Sequence, residues 1–257
     1  MLNGYRELNF VLLRTKKGNA TMKREEAKGL LVIWADIDDD YRLTFRMWHN
    51  CEHITERITL PGFHAAYRYE GIDRAPNYIM FYETADSKVL ESGPYLHSVN
   101  NPSPGTKDAI AHFKNPVRTI YILLGAAGRK PPVVSPYIFV VRFNLREGAD
   151  QEAIAWYKND YLPKISTVPG VHRARLYGVD PSVSKIMSTE RKIFKPEIVE
   201  QKFLCLYEIA SLDLPASRAW SECQTGAEQG RKIEKVMEHV VQERYWLDFT
   251  MPGPEGD

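Results

Sequence analysis

A stretch near the start of the chain comes back later, and that repetition restricts the available folds more than any local pattern does. Trp48–Tyr69 aligns without a gap on Trp156–Tyr177, 108 positions further on. Trp48, Thr59, Pro61, Gly62, His64, Ala66 and Tyr69 meet Trp156, Thr167, Pro169, Gly170, His172, Ala174 and Tyr177. Unrelated segments of that length share about one or two identities by composition. The chain is therefore read as two copies of one unit.

Apolar periodicity assigns the same elements to each copy. In the first, Leu30–Asp36 is a β-branched, apolar run and predicts a strand. Leu43, Met47, Cys51, Ile54 and Ile58 recur at helical spacing, so the expected helix over 41–58 buries that face. Pro61-Gly62 turns the chain into strands at Phe63–Tyr69 and Tyr78–Ala85. A second helical region and a strand at Val117–Leu124 complete the order β-α-β-β-α-β. The second copy repeats it, with strands at Tyr137–Asn144, Val171–Tyr177, Lys202–Ala210 and His239–Phe249. Pro163 is expected to kink or shorten its first helix. Val179–Gln201 is an insertion without a counterpart in the first copy, hence a candidate lid or partner surface, or a plain surface loop.

This order predicts an α+β fold of two tandem ferredoxin-like units, each an antiparallel sheet with helices on one face. The bare faces are then expected to pack sheet against sheet. The divisions are a tail over 1–28, a first unit over 29–125, a linker over 126–136 and a second unit over 137–250. Leu8–Leu13 is a candidate strand in the tail, and Met22 a candidate start.

At 257 residues the chain can bury two cores. A formal charge of +1 without a long basic run argues against nucleic acid as partner. No apolar run reaches about 18 residues, so no membrane partner or span is expected. Three cysteines without metal-like spacing, and an N-terminus without signal-peptide zones, predict a cytoplasmic protein. No glycine-rich phosphate loop follows any strand, so no organic cofactor is expected.

Trp48–Arg57 (WHNCEHITER), Leu60–Phe63 (LPGF) and Tyr78–Glu83 (YIMFYE) resemble the EthD-like branch of the dimeric α+β barrel superfamily. The second copy is similar through Trp156-Tyr157, Asp160–Pro163, Val168–Gly170 and Phe203–Glu208. The likeness covers about residues 30–125 and 136–249. It implies a pocket between sheet and helices where His, Tyr, Asp or Arg do acid–base work. Members of the superfamily include cofactor-free monooxygenases, lactone isomerases, polyketide cyclases and tandem haem proteins.

His49 and His53 stand four apart on the expected helix, so both rings point to one side. Glu52 beside them is expected to hold an imidazole tautomer, a pairing suited to proton transfer near neutrality. His97 is expected to complete the catalytic set, with Phe45, Trp48, Tyr67, Tyr82, Tyr161 and Arg175 lining the substrate. The string HNCEH also fits an H-x-x-E-H zinc pattern. A zinc site needs a third protein ligand, and Tyr157 and Tyr161 hold the two slots in the second copy, so no metal is expected. The expectation is a lyase, isomerase or dehydratase acting on a small, apolar, aromatic or cyclic metabolite. The rivals are a cofactor-free monooxygenase, a haem-binding tandem barrel and a non-catalytic binding or stress-response barrel. Pairing with a second chain as a homodimer is left open.

Overall fold

The computed structural model of the protein describes residues 26–72, 76–131, 133–197 and 199–254. The tail's candidate strand and start at residue 22 lie outside the described residues. The first half contains β1 (Gly29–Ile37), helix α1, β2 (Phe63–Gly71), β3 (Tyr78–Thr84), α2 (Gly93–Asn100), α3 (Pro104–Ala111) and β4 (Phe113–Gly128). Helix α1 runs through Arg42–Trp48, a π turn at His49–His53, and Ile54–Ile58. The second half contains β5 (Tyr137–Leu145), α4, β6 (Val171–Val179), α5 (Pro181–Ser184), α6 (Thr189–Phe194), β7 (Phe203–Ile209), α7 (Arg218–Thr225), α8 (Glu228–Val236) and β8 (Met237–Pro252). Helix α4 runs through Asp150–Trp156, a π turn at Tyr157–Tyr161, and Leu162–Ile165.

The strands form one closed antiparallel barrel in the order β1-β3-β2-β8-β5-β7-β6-β4. Each half contributes the same internal order, its last strand beside its first. The expected pair of separate sheets is instead joined at two hydrogen-bonded seams, β2 with β8 and β4 with β6. Closure leaves no free strand edge. It needs last strands longer than the sequence pattern showed: β4 and β8 each have 16 residues. Each pairs within its own half along one stretch and with the other half along the next. Ala126–Gly128, read as linker from the sequence, continues β4 along β6.

Alternation along each strand separates two environments. Leu30, Val32, Trp34, Tyr67, Tyr69 and Phe81 fill the barrel. Leu31, Ile33, Ala66 and Tyr82 face outward, under the helices. With one face inside the barrel and the other covered, β3 is buried at every residue. The two Pro-Gly turns put Gly62 and Gly170 at φ of 87° and 92°, a conformation costly for residues with a Cβ.

The helix face read from periodicity holds only at Ile54 and Ile58. Leu43 and Met47 are 72% and 62% exposed, and Cys51 is exposed. Phe45, Trp48 and His49 are buried instead. The π turn, in which the Ile54 N–H bonds the His49 carbonyl, is the cause. Its extra residue rotates the preceding segment by about 100°, one helical residue. Helix α4 carries the same turn, with Leu162 bonded to Tyr157. The turn precedes Pro163 and occurs in the half that lacks a proline there, so the proline does not cause it. The proline-bearing final segment is one residue shorter than its twin, with four residues against five.

One end of the barrel interior holds charge. Arg175 donates to Glu83 at 2.6 Å and Glu208 at 2.9 Å, and Arg173 to the same carboxylates at 2.9 and 2.6 Å. Burial alone would push the Glu83 carboxyl up, but Arg175 and Arg173 hold it down to about 2. This carboxylate therefore stabilises the fold above its ordinary range near 4.5, and that contribution fades as pH falls toward 2. The quartet ties β3 to β6 and β7 across the halves. Arg175→Met should cost about 3–5 kcal/mol, because it leaves two buried carboxylates sharing one guanidinium. Urea unfolding at neutral pH measures the loss; a cost below about 1 kcal/mol contradicts the assigned role.

Candidate active site

A cavity of about 40 Å³ lies between α1 and the outer face of β1 and β3. Leu31, Ile33, Met80 and Tyr82 form its floor, and Trp48, His49, His53 and Arg57 of α1 form its wall. The inserted segment of the second half supplies the roof: Ser188, Glu190, Arg191 and Phe194 all line it. Glu190 accepts a hydrogen bond from Arg57, which also bonds Ser98, so α6 is tied across the cavity to α1 and α2. The insertion is thus a cover over the other half's cavity.

The π turn brings both imidazoles inside; His49 is 1% and His53 9% exposed. Their ring centroids are 5.7 Å apart. The Arg68 guanidinium donates to His49 Nδ1 at 2.8 Å. Arginine has no acceptor, so Nδ1 is unprotonated and the proton of the neutral ring is on Nε2. That nitrogen lies 3.4 Å from the Tyr82 hydroxyl oxygen and donates to it. The Tyr82 proton is then left for the cavity. Arg68 is itself held by Asp248 at 2.7 Å and Asn50 at 2.8 Å, between the rings of Phe45 and Phe249. Asp248 is on β8, so the seam between the halves sets the tautomer of His49.

Three buried polar atoms among the lining residues have no hydrogen-bond partner: His53 Nδ1, Arg118 Nη1 and Arg191 Nε. The Arg118 Nη2 donates to the Tyr95 hydroxyl at 3.1 Å, which fixes the guanidinium in the cavity wall. Arg57, Arg118 and Arg191 against Glu190 leave the lining positively charged. Burial, with Arg68 beside it, holds the His49 imidazole well below its ordinary value. Burial, with Arg57 and His49, does the same for His53. Burial pushes the Tyr82 phenol up, so it stays a neutral donor.

The structure gathers His49, His53, Trp48 and Tyr82 at this cavity, and places the other expected residues elsewhere. Phe45 packs on His49 at 5.4 Å, behind the cavity wall. Glu52 is exposed and accepts from Ser103, because the π turn directs it to the far side of the helix. His97 is exposed and bonded to Asn101, on the outer side of α2. Tyr67 pairs with Phe81, not Tyr82, and so points into the barrel. Arg175 has the same inward parity and is consumed by its carboxylates. Tyr161 belongs to the second half, against Tyr207. Arg68, Arg118 and Glu190 were missed. Arg68 shares the outward parity of Ala66 and Tyr82 and was findable from the strand register; the other two reach the cavity only through long-range packing.

No cluster of three or more His, Cys, Asp or Glu among the described residues is placed to hold a metal ion. Glu52 points away from the imidazoles, which removes the H-x-x-E-H reading. A porphyrin does not fit the cavity of about 40 Å³ beside either imidazole.

Because both imidazoles are neutral when folded but protonate near 6.5 when unfolded, the unfolded chain binds more protons below that pH. Stability should fall as pH drops from about 6.5, by up to about 1.4 kcal/mol per pH unit for each ring. His53→Gln should remove one ring's share of that slope between about pH 5.5 and 6.5, read by denaturant titrations. An unchanged slope would place the ring in water.

The fold occurs in solved structures of very different sequence. An anthrone oxidase-like protein superposes with a TM-score of 0.58 at 11% identity, covering 90% of this chain and 94% of that one. A proposed monooxygenase from Lactobacillus acidophilus NCFM gives 0.57 at 5% identity, covering 88% and 97%. A proposed monooxygenase from Fusobacterium nucleatum subsp. nucleatum ATCC 25586 gives 0.53 at 11%, covering 88% and 95%. No family profile matches the sequence, and no curated protein does. What these structures share with the chain is an α+β barrel with helices on its outer face.

Proposed function

We propose that the protein is a small-molecule enzyme that removes a proton from a neutral, enolisable or phenolic substrate and holds the resulting oxyanion. The carrying observation is that an unpartnered base and an unpartnered donor, His53 Nδ1 and Arg118 Nη1, are buried with Arg191 Nε in one covered, mostly apolar cavity. His53 takes the proton; as a neutral imidazole in a buried site it needs no prior deprotonation. The developing oxygen charge is met by Arg118 and by the Tyr82 hydroxyl, which His49 and Arg68 orient. Arg57, Glu190 and Ser98 hold the cover. A cavity of this size holds a few waters, whereas one of about 150 Å³ takes a single benzene. A ring therefore enters with α6 lifted.

Two readings share this proton removal and part at the next step. Reprotonation or elimination gives an isomerase, lyase or dehydratase. Addition of dioxygen to the carbanion, with loss of water, converts a methylene to a carbonyl and needs no further reductant. The second reading is favoured by the fold shared with an anthrone oxidase-like protein and two proposed monooxygenases. The two halves are read as tandem ferredoxin-like units on their common strand order. The EthD-like assignment rests on the α1 and β3 residues. A small-molecule partner, and a second copy of the chain, belong to the same reading.

The test separates the steps. Anthrone and smaller enolisable cyclic ketones, incubated anaerobically in heavy water with the full chain, should exchange the acidic C–H. His53→Ala should slow exchange about 10²–10⁴-fold. Tyr82→Phe and Arg118→Met should slow it with their folding retained. Because the imidazole stays neutral to low pH, the acid limb of the rate should lie below 6.5. Exchange as fast in His53→Ala as in the parent would remove the assignment. Labelled dioxygen then distinguishes oxygenation, which labels the product, from isomerisation, which does not.

A further inference from the structure

A second cavity, of about 160 Å³, lies against the helices of the second half. Its walls are the repeat counterparts of the first. Phe139 stands for Leu31, Tyr157 for His49, Tyr161 for His53, Tyr207 for Tyr82, Trp220 for Tyr95 and Gln242 for Arg118. Each imidazole and the unpartnered guanidinium have become neutral groups. Among the described residues it has no roof either, because the loop from β2 to β3 is short where β6 to β7 carries α5 and α6. Val240, 45% exposed, and the exposed Glu234 stand at the mouth.

We propose that this cavity is a binding site for a neutral single-ring phenol, held without turnover. The volume matches a pocket of about 150 Å³ that takes one benzene. Tyr207 meets Trp220 edge-on at 4.8 Å, and Phe139 meets Trp220 edge-on at 5.7 Å, a surround of faces and edges suited to a further ring. The polar groups select the substituent. The Tyr207 hydroxyl donates to the Tyr161 oxygen at 3.2 Å, so the Tyr161 proton is left for a ligand oxygen. Gln224, Gln242 and Glu234 offer acceptors for the ligand's own proton. A hydroxyl is both acceptor and donor and satisfies both sides. An ammonium group only donates and leaves the Tyr161 proton unmatched. A carboxylate ligand finds no Lys or Arg among the lining residues and meets Glu234. Turnover is absent because no buried group of the site is a base: burial pushes the phenols of Tyr157, Tyr161 and Tyr207 up, and the adjacent Cys205 thiol to about 12, and the one carboxylate, Glu234, stands exposed at the mouth.

Two methionines make the sites separately readable, since Met237 lines the second cavity and Met80 the first. The full chain, labelled with ¹³C at the methionine methyls, is titrated with phenol and, separately, with benzoate. Phenol should shift Met237 saturably, with Met80 reporting separately any binding in the first cavity, and benzoate should act on Met237 at least about tenfold more weakly. Val240→Trp, at an exposed position, should block the mouth and weaken phenol binding at least about tenfold. Gln242→Leu should weaken it about tenfold by removing one acceptor. His53→Ala should leave the Met237 response unchanged, which keeps this site independent of the proposed chemistry. A silent Met237 at millimolar phenol, Val240→Trp and Gln242→Leu binding like the parent, or benzoate binding as well as phenol would each overturn the proposal.

Discussion

Closure of the barrel at its two seams governs the rest of the molecule. Along β2 and β8, Arg68 is paired with Phe249, which brings Asp248 onto its guanidinium. That guanidinium fixes His49, and His49 in turn orients Tyr82. Along β4 and β6, the chain leaves β6 and returns α6 over the first half's cavity. Both seams therefore carry second-half groups to a first-half site. Neither half alone would hold the imidazoles in this geometry, and the buried Arg–Glu quartet between β3, β6 and β7 fastens the same junction.

Duplication has given two cavities with one framework and opposite character. The covered one holds two imidazoles and three arginines in a small space. Low dielectric there keeps the rings neutral and makes every donor count. The open one is four times larger by volume and lined by neutral phenols and amides. The shared π turn matters in both, since it alone turns positions 49 and 53, and 157 and 161, toward the sheet. Chemistry and binding then differ by side chain and by the presence of a roof, not by backbone.

The sequence carried the repeat, the Pro-Gly turns and every barrel strand of the described residues, because these are local signals of period and composition. The two imidazoles were also legible from their spacing on one helix. The burial of Phe45 and Trp48 in place of Leu43 and Met47 was not, since a regular helix leaves no trace of a coming π turn. Strand parity explains the aromatic errors. Tyr67 and Tyr82 look alike in composition, yet the β2–β3 register places them on opposite faces. Glu52 and His97 look catalytic by proximity in sequence but project from the outer sides of their helices. Arg118, Glu190 and Asp248 act through contacts between distant elements, which no local pattern encodes. The length of β4 and β8 was missed for the same reason: their outer stretches are strands only because the other half pairs with them.

Both imidazoles of α1 are neutral inside a covered cavity, with the His49 proton on Nε2, and every catalytic role assigned to the site requires that state. The ¹⁵N chemical shifts of the histidine rings report it in the full chain. Neutral-ring shifts are expected for His49 and His53 at about pH 5.5, a full unit below the ordinary histidine value, with His49 in the Nε2–H form. Imidazolium shifts at that pH, or a His49 proton on Nδ1, would contradict it.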